Sequence, residues 1–523
     1  MLNSNHQQDL AIQIEKNYES GEFEKALEIS AQALESNPPD LKAYSARWKL
    51  IVEMLSEADA RKKILPEIEY VLSTHPEKTE ALRTAFWGYM RLPGDEKNVP
   101  NSLFDEMLQY PKTENYQTAL FILAKRSENT LQKWDYYERV IDEFTTSDAP
   151  IFSWYWSAHS EMLRLVETDR SLASDDLLDE LIERCLKAHL FYCRETQQWL
   201  GWAYTDSVKW RLKFNVRLDK ALETLERAEI RLGEQEEQTW LIETNEGSVE
   251  EEQEELSRLR SEIYLRQERW REAHDGLVAN APDFLESVWA RFKESSINYF
   301  YMLGRSAEGL EEWETARRYY ADAHFALTPH VKAQAGLQRV FHQIEKTATD
   351  TYEAFLGDTE AEYRGRESAD LERIRQKLIT PRRNQTAPDF RLQTLEGESY
   401  TLSAMSGKVV LLDVGASWCG PCNMAIPEVK TVYKHFSKNE AVVIWGINDG
   451  EAPQKVREFL NHHHPPWPVL LDPQRQVREA YEIEAIPFFV LIDKVGNWQY
   501  TFNSSNLING QPLIWMVDAL LSE

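Results

Sequence analysis

The sequence predicts two architectures in one chain: an all-α helical solenoid over residues 1–379 and an α/β domain over residues 387–523, joined by a linker at 380–386. Three observations predict it. The 523 residues exceed what one ordinary core encloses, so two or more structural units are expected. As far as Ile379 the chain is dense in Glu, Leu, Ala and Arg and nearly free of alternating β-branched runs, the pattern of helix after helix. Past Pro388 it changes to short apolar strands alternating with helical stretches. Between the two, Thr380-Pro381-Arg382-Arg383-Asn384-Gln385-Thr386 breaks the helical periodicity with proline and polar residues.

Within the helical region the pattern repeats. Gly21-Glu22-Phe23-Glu24-Lys25-Ala26-Leu27, continuing through Ala33 to Pro38, has a glycine at an inter-helix turn, small residues where helices touch, and a closing proline. The same order returns at Trp313, Ala316, Tyr320, Ala323 and Pro329, and more weakly at Trp270, Ala273, Leu277 and Pro282. These segments resemble the second half of a tetratricopeptide repeat. Pro38, Pro76, Pro111 and Pro150 are spaced by 38, 35 and 39 residues, close to the roughly 34-residue period of that class. The resemblance implies a degenerate tetratricopeptide-like solenoid that binds or presents a protein client. Twelve of the 17 tryptophans precede residue 385, among them Trp154, Trp156, Trp199, Trp202 and Trp210. Such rings fill the gaps between stacked helices, or line a groove for a peptide. The run Glu250-Glu251-Glu252-Gln253-Glu254-Glu255 reads as a solvated face or as a docking site for a basic partner.

The formal charge of −28 excludes an ordinary nucleic-acid binder, which needs clustered Lys and Arg in excess. From Gln385 onward 10 Lys and Arg face 16 Asp and Glu, a net of −6, which leaves −22 for the helical region. No stretch reaches the length of apolar chain needed to span a bilayer, and the opening residues Met1 to Asp9 lack the layout of a secretion signal. The expectations are no membrane, no nucleic acid and a cytoplasmic address. Only four cysteines occur, far from a disulfide scaffold, and two of them form one CxxC.

That motif, Cys419-Gly420-Pro421-Cys422, follows the apolar run Lys408 to Val414 and opens a predicted helix reaching about His435. Unpaired N–H groups and the positive end of a helix dipole stabilise an anion there, so the first thiol is expected to ionise readily. Two intervening residues let the second sulfur reach the first. Pro421 suits a first helical turn, where its missing N–H costs nothing. The rival reading, half of a zinc site, needs two more ligands; the candidates are His462, His463 and His464, in an expected exposed loop. Cys185 and Cys193 lie eight residues apart on one predicted helix, about 12 Å along its axis, too far for a disulfide, and read as buried free thiols. Further strands are expected at Ala441 to Ile447, Phe488 to Ile492 and Trp498 to Phe502, with a closing helix from Pro512 to Leu521.

Trp418-Cys419-Gly420-Pro421-Cys422 is the thioredoxin active-site sequence, with Asp413 six residues before the first cysteine and Pro427 at the position of a helix kink. Tyr481 to Pro487 resembles the segment leading to that family's cis-proline. The lead-in Ala387-Pro388-Asp389-Phe390, the Gly407-Lys408-Val409-Val410 segment and the insertion from Gly450 to Asp472 resemble the TlpA/ResA-like branch. The resemblance implies a thioredoxin fold with Cys419 as nucleophile and Cys422 as resolving thiol. It also implies that Asp413 exchanges protons with Cys422. Trp418, Gly420 and Pro421 would shape the substrate surface, while Ile486 and a cis Pro487 would form the ledge along which substrate cysteines lie. By residue type alone, the lesser alternatives are an edge or loop carboxylate for Asp413 and an ordinary core tryptophan for Trp418. Two features depart from the pattern: the strand from Ala441 has no lysine to pair with Asp413, and TlpA/ResA-like proteins commonly act outside the cytoplasm.

The leading expectation is a disulfide reductase with no cofactor beyond its two thiols and no metal. Its partners would be a disulfide-bearing protein substrate, an upstream thiol reductant or reductase, and a client held by the helical repeats. The Gly-Pro dipeptide and a reducing compartment favour reduction. The alternative is a protein-interaction scaffold with a regulatory or chaperone-like redox domain. A peroxidase is disfavoured, since Ala416 and Leu412 stand where the Thr and Pro of a PxxxTxxC motif would be.

Overall fold

In a computed structural model, residues 4–35, 37–92, 95–142, 154–196, 198–234, 249–279, 294–326, 328–344, 351–503 and 510–523 are described. The chain divides into two compact units: one combines Met1–Leu103 with Arg373–Glu523, and the other is Phe104–Glu372. The division therefore falls away from the expected boundary at 380, because the first helices pack with the C-terminal domain. Pro150 and Pro282 of the repeat pattern lie outside the described residues.

The first unit begins with helices α1 (Ser4–Glu19), α2 (Phe23–Ser30), α3 (Leu41–Met54), α4 (Glu57–Thr74) and α5 (Lys78–Arg91). Their ends follow from sequence. Asp40 accepts the N–H groups of Lys42 and Ala43 and Ser56 accepts that of Asp59, satisfying donors that an isolated helix start leaves open. Gly21, at φ +74°, makes the left-handed turn between α1 and α2. α3 and α5 approach closely because position 88 is glycine: a Cβ there would stand 2.7 Å from the Trp48 ring. Buried Arg47 bonds Glu67 at 3.0 Å, and Trp48 donates to the same carboxylate at 2.9 Å. α3 also packs on the helix Pro453–His463 of the C-terminal domain, and a Cβ on Gly21 would stand 2.7 Å from the carbonyl oxygen of Pro473.

The second unit is built of helices throughout its described residues, paired with their neighbours in sequence. Fully buried Trp199 and Tyr320 centre two of its cores. The helices around Tyr320 close onto its ring because Gly304 and Gly336 have no side chain; a Cβ on either would come within 2.6 Å of it. Trp156 stacks on buried His189, so tryptophans of this region do fill space between helices. Cys185 and Cys193 lie on the helix Asp175–Glu195 as buried thiols outside any disulfide. The acidic run falls in the helix Val249–Arg266, where Glu255 pairs with Arg258 at 2.7 Å and Lys209 at 3.0 Å.

The C-terminal domain is an eight-stranded sheet in the order β1-β8-β7-β4-β5-β6-β2-β3. Its strands are β1 (Gln385–Thr386), β2 (Arg391–Gln393), β3 (Ser399–Thr401), β4 (Val409–Gly415), β5 (Val442–Asp449), β6 (Val469–Asp472), β7 (Phe488–Ile492) and β8 (Asn497–Phe502). Residues 380–386, expected as a linker, carry β1, which pairs antiparallel with β8. β4, β5 and β6 run parallel, and β7 is antiparallel to β4. Val409 and Leu411 enter one core while Val410, Leu412 and Val414 enter the core on the opposite face. Burial on both faces is why β4 reads as an unbroken apolar run. Helices Gly420–Phe436 and Gln511–Leu521 cover the first face. The expected fold class, a helical solenoid followed by a thioredoxin fold, is what the chain adopts. The three histidines differ from expectation: His462 and His463 close the helix Pro453–His463, and His464 caps it at φ +46°.

Candidate active site

β4 delivers both cysteines. It ends at Gly415, the chain turns through Ala416, Ser417 and Trp418, and Cys419 becomes the N-cap of the helix Gly420–Phe436 with Pro421 in its first turn. Cys419 and Cys422 are joined in a disulfide. The N–H of Cys422 donates to the Cys419 sulfur at 3.1 Å. When the bond is reduced, the same N–H and the positive end of the helix dipole face that sulfur and lower the cost of its ionisation.

Ile486-Pro487 is a cis peptide. The Ile486 carbonyl oxygen lies 3.7 Å from the Cys419 sulfur, and its side chain packs on Ala416, Cys419 and Cys422. Both cysteines are buried, but the rim is not: Trp418 is 66 % and Met424 70 % exposed. No atom lies within 4 Å of where a Gly420 Cβ would be. An apolar, open rim thus surrounds a sulfur beside the cis Ile486-Pro487 backbone.

Asp413 sits opposite Gly446 on β5 and Phe489 on β7. With Cys422, Asn448 and Trp467 it lines a cavity of about 40 Å³, the space of one or two waters. Its side chain keeps some contact with that cavity while protein surrounds it, and this burial pushes its pKa up to about 7. A carboxyl with that pKa exchanges protons near neutrality. Gly446 occupies the position across from Asp413 on β5, and a Cβ there would stand 3.2 Å from the Trp467 indole nitrogen. Val469 and the Trp467 indole thus crowd the position across from Asp413.

Sequence reasoning missed Glu451. Buried at 5 % exposure, it accepts the N–H of Ser417 at 2.7 Å, the Ser417 hydroxyl, and the Asn448 side-chain amide at 2.6 Å. Asn423 donates to the Ser417 carbonyl at 3.0 Å from the other side. The turn carrying Trp418 and Cys419 is therefore tied to the end of β5. Burial, with smaller contributions from the charges of Glu53 and Glu451, pushes the phenol of Tyr18 on α1 up to about 12. The only trace of Glu451 in the sequence is a carboxylate after the polar turn Asn448-Asp449-Gly450; its burial is not legible there. Among the described residues, no three His, Cys, Asp or Glu side chains converge as a metal site would require.

A CxxC pair at a helix N-terminus, facing a cis-proline across the end of a mixed sheet, defines the thioredoxin-like class. Residues 382–509 match the Redoxin family model. The thiol-disulfide oxidoreductase ResA of Bacillus subtilis (strain 168) is 37% identical over 110 residues, 21% of this chain and 61% of that protein. The thioredoxin-like protein YneN of the same organism is 32% identical over 121 residues, 23% of this chain and 71% of that one. Among solved structures, a thiol:disulfide interchange protein of the thioredoxin family from Chlorobium tepidum TLS matches at 23% identity with a TM-score of 0.24, covering 27% of this chain and 97% of its own. The chain spans less than two thirds of the length of ResA. Through its C-terminal domain the chain belongs to the thioredoxin-like redoxins.

Proposed function

We propose that this chain is a thiol–disulfide oxidoreductase that reduces disulfides in protein clients, with the redoxin domain carrying the chemistry and the helices holding the client. The observation that carries the reading is the Cys419 sulfur, capped by the Cys422 N–H at 3.1 Å and set beside the cis Ile486-Pro487 edge. In the reduced form the Cys419 thiolate attacks one sulfur of a client disulfide. A bond from Cys419 to the client forms, the client disulfide breaks, and its other sulfur leaves as a thiolate that takes a proton from water. Cys422 then gives its proton to the Asp413 carboxylate and attacks the Cys419 sulfur. The mixed disulfide breaks, the second client sulfur leaves as a thiolate that takes up the proton Asp413 gives back, and the protein is left with the Cys419–Cys422 disulfide. An upstream dithiol reductant or reductase returns two electrons and two protons.

Trp418, Gly420, Pro421, Ile486 and Pro487 form the surface on which the client strand lies. A reducing, cytoplasmic setting suits this direction of exchange. Client binding by the helices is supported by the packing of α1–α5 with the redoxin domain in one compact unit, which puts helical surface and redox centre on the same body. Trapping tests the reading. Cys422→Ser should accumulate a client bonded to Cys419, identified by mass spectrometry after non-reducing electrophoresis, and the intact protein should reduce insulin. A chain that does neither is not a reductase, and a potential near those of strong oxidases would reverse the direction.

A further inference from the structure

Behind the cysteines, the cavity that Asp413 and Cys422 share has a third polar wall, the Trp467 indole. Asp413 lies two positions past Leu411 on β4, and Gly446 two past Ile444 on β5, so both belong to the sheet face on which Leu411, Ile444 and buried Trp467 are packed. Gly446 donates its N–H to the Pro468 carbonyl at 2.9 Å and pairs with Val469, which fixes the tryptophan just before them. Its indole nitrogen stands 3.2 Å from where a Gly446 Cβ would be, at the strand position directly across from Asp413. We propose that Trp467 is a positioning residue whose N–H holds the water that carries the proton from Cys422 to Asp413. The inference rests on the reading of the two cysteines as a thiol–disulfide centre and supplies the route by which the resolving thiol is ionised.

A buried indole N–H normally finds an acceptor, and a buried water normally has about three polar partners. The Trp467 N–H, the Cys422 thiol and the Asp413 carboxylate supply three around one small space. Asn448, the remaining polar side chain on the wall, has both ends of its amide engaged by Glu451: it donates to the carboxylate at 2.6 Å and accepts the backbone N–H at 3.3 Å. Ile426, Phe459 and Val469 complete much of the lining and offer a water nothing. In the transfer, the water accepts the Cys422 proton as it gives one of its own to Asp413. It ends as water, with Cys422 a thiolate and Asp413 a carboxylic acid. The indole N–H occupies one lone pair of the oxygen, which leaves the other for the thiol and turns a water proton toward the carboxylate. A donor on the water also makes it a better donor in turn, which favours the carboxylate form of Asp413. The Tyr433 ring, 6.0 Å from the indole between centroids, packs beside it.

The experiment mixes the reduced full chain with one equivalent of dithiobis-nitrobenzoate in a stopped-flow spectrophotometer. One coloured thiolate is released when Cys419 attacks, and a second when Cys422 resolves the mixed disulfide. Trp467→Phe keeps an aromatic ring and removes the N–H. It should leave the first phase unchanged and slow the second about tenfold at neutral pH. The second phase rises with pH as Asp413 ionises, and its midpoint, near 7 in the wild type, should move up to about 8 in the variant. In an Asp413→Asn background the same substitution should change the second phase by less than about twofold, because the relay is already broken. If Trp467→Phe fails to fold by circular dichroism, benzothienylalanine is placed at position 467 by stop-codon suppression, its sulfur replacing the N–H in a ring of nearly the same shape, and the same changes are expected. A second phase unchanged in rate and midpoint, both phases slowed alike, or an undiminished effect in the Asp413→Asn background overturns the proposal and leaves the two-cysteine chemistry standing. A wild-type chain that releases no thiolate from Cys419 rejects that chemistry and the relay together.

Discussion

Gly88, Gly304 and Gly336 in the helices and Gly420 in the active site are the same residue put to opposite uses. At the first three an added Cβ would come within 2.7 Å of the Trp48 or Tyr320 ring; at Gly420 it would meet nothing within 4 Å. In the helical region the missing side chain lets two helices press onto one aromatic ring, and space there is used up within the chain. At the redox centre the missing side chain leaves a surface open, beside Trp418 and Met424, for something that is not part of the chain. Packing density thus separates what the molecule needs to stand from what it needs to act.

The sharpest way to test that separation is Cys419→Ser, which should abolish insulin reduction while the thermal unfolding followed by circular dichroism stays where it was. Loss of folding along with turnover would show that the two regions are not separable in this way. Next in size, Gly336→Ala should destabilise the protein by about 1–3 kcal/mol in chemical denaturation through overpacking. Gly420→Ala should change stability by less than about 1 kcal/mol and be felt in turnover instead. Equal destabilisation by the two would break the comparison.

Asp413 sharpens it further, because there packing and action meet in one side chain. Its pKa is raised by burial to about 7, so the folded protein binds a proton that the unfolded chain, with an ordinary aspartate, has already released. Stability from this group is complete below the unfolded value near 4 and is lost as pH rises through about 7. Asp413→Asn should therefore be more stable than the wild type by a few kcal/mol at pH 8, with the difference gone at pH 4. It should also slow the resolving step above pH 7, where the carboxylate takes the Cys422 proton. A difference in stability that does not vary with pH would contradict this. The smallest effect is expected at Cys185, whose thiol burial pushes up to about 12. Iodoacetamide should leave it unmodified in the native, reduced protein while labelling Cys419 within minutes, as peptide mapping would show.

Much of the redox centre was legible because its chemistry is local in sequence. Cys419, Pro421 and Cys422 form one turn, and the apolar runs around Val409, Val442 and Phe488 could only be strands buried on two faces. Glu451 was not legible: a carboxylate after a polar turn looks solvated until Ser417 and Asn448 are seen to close over it. The pairing of helices was visible in Pro38, Pro76 and Pro111, each of which falls between one helix pair and the next. The membership of the compact units was not. It depends on contacts such as Gly21 against Pro473, and no local pattern reports a meeting between residues more than four hundred positions apart.

The discontinuous first unit has a consequence for synthesis. Its opening stretch, Met1–Leu103, leaves the ribosome well before Arg373–Glu523, the partner it packs with, while Phe104–Glu372 emerges in one piece and can close as it appears. From Leu103 to Pro453 the interval is on the order of 20–70 s at about 5–20 residues per second. During that time the face of α3 that will meet the helix Pro453–His463 is uncovered, and a nascent chain stalled anywhere before Pro453 would display it to the chaperones at the exit tunnel.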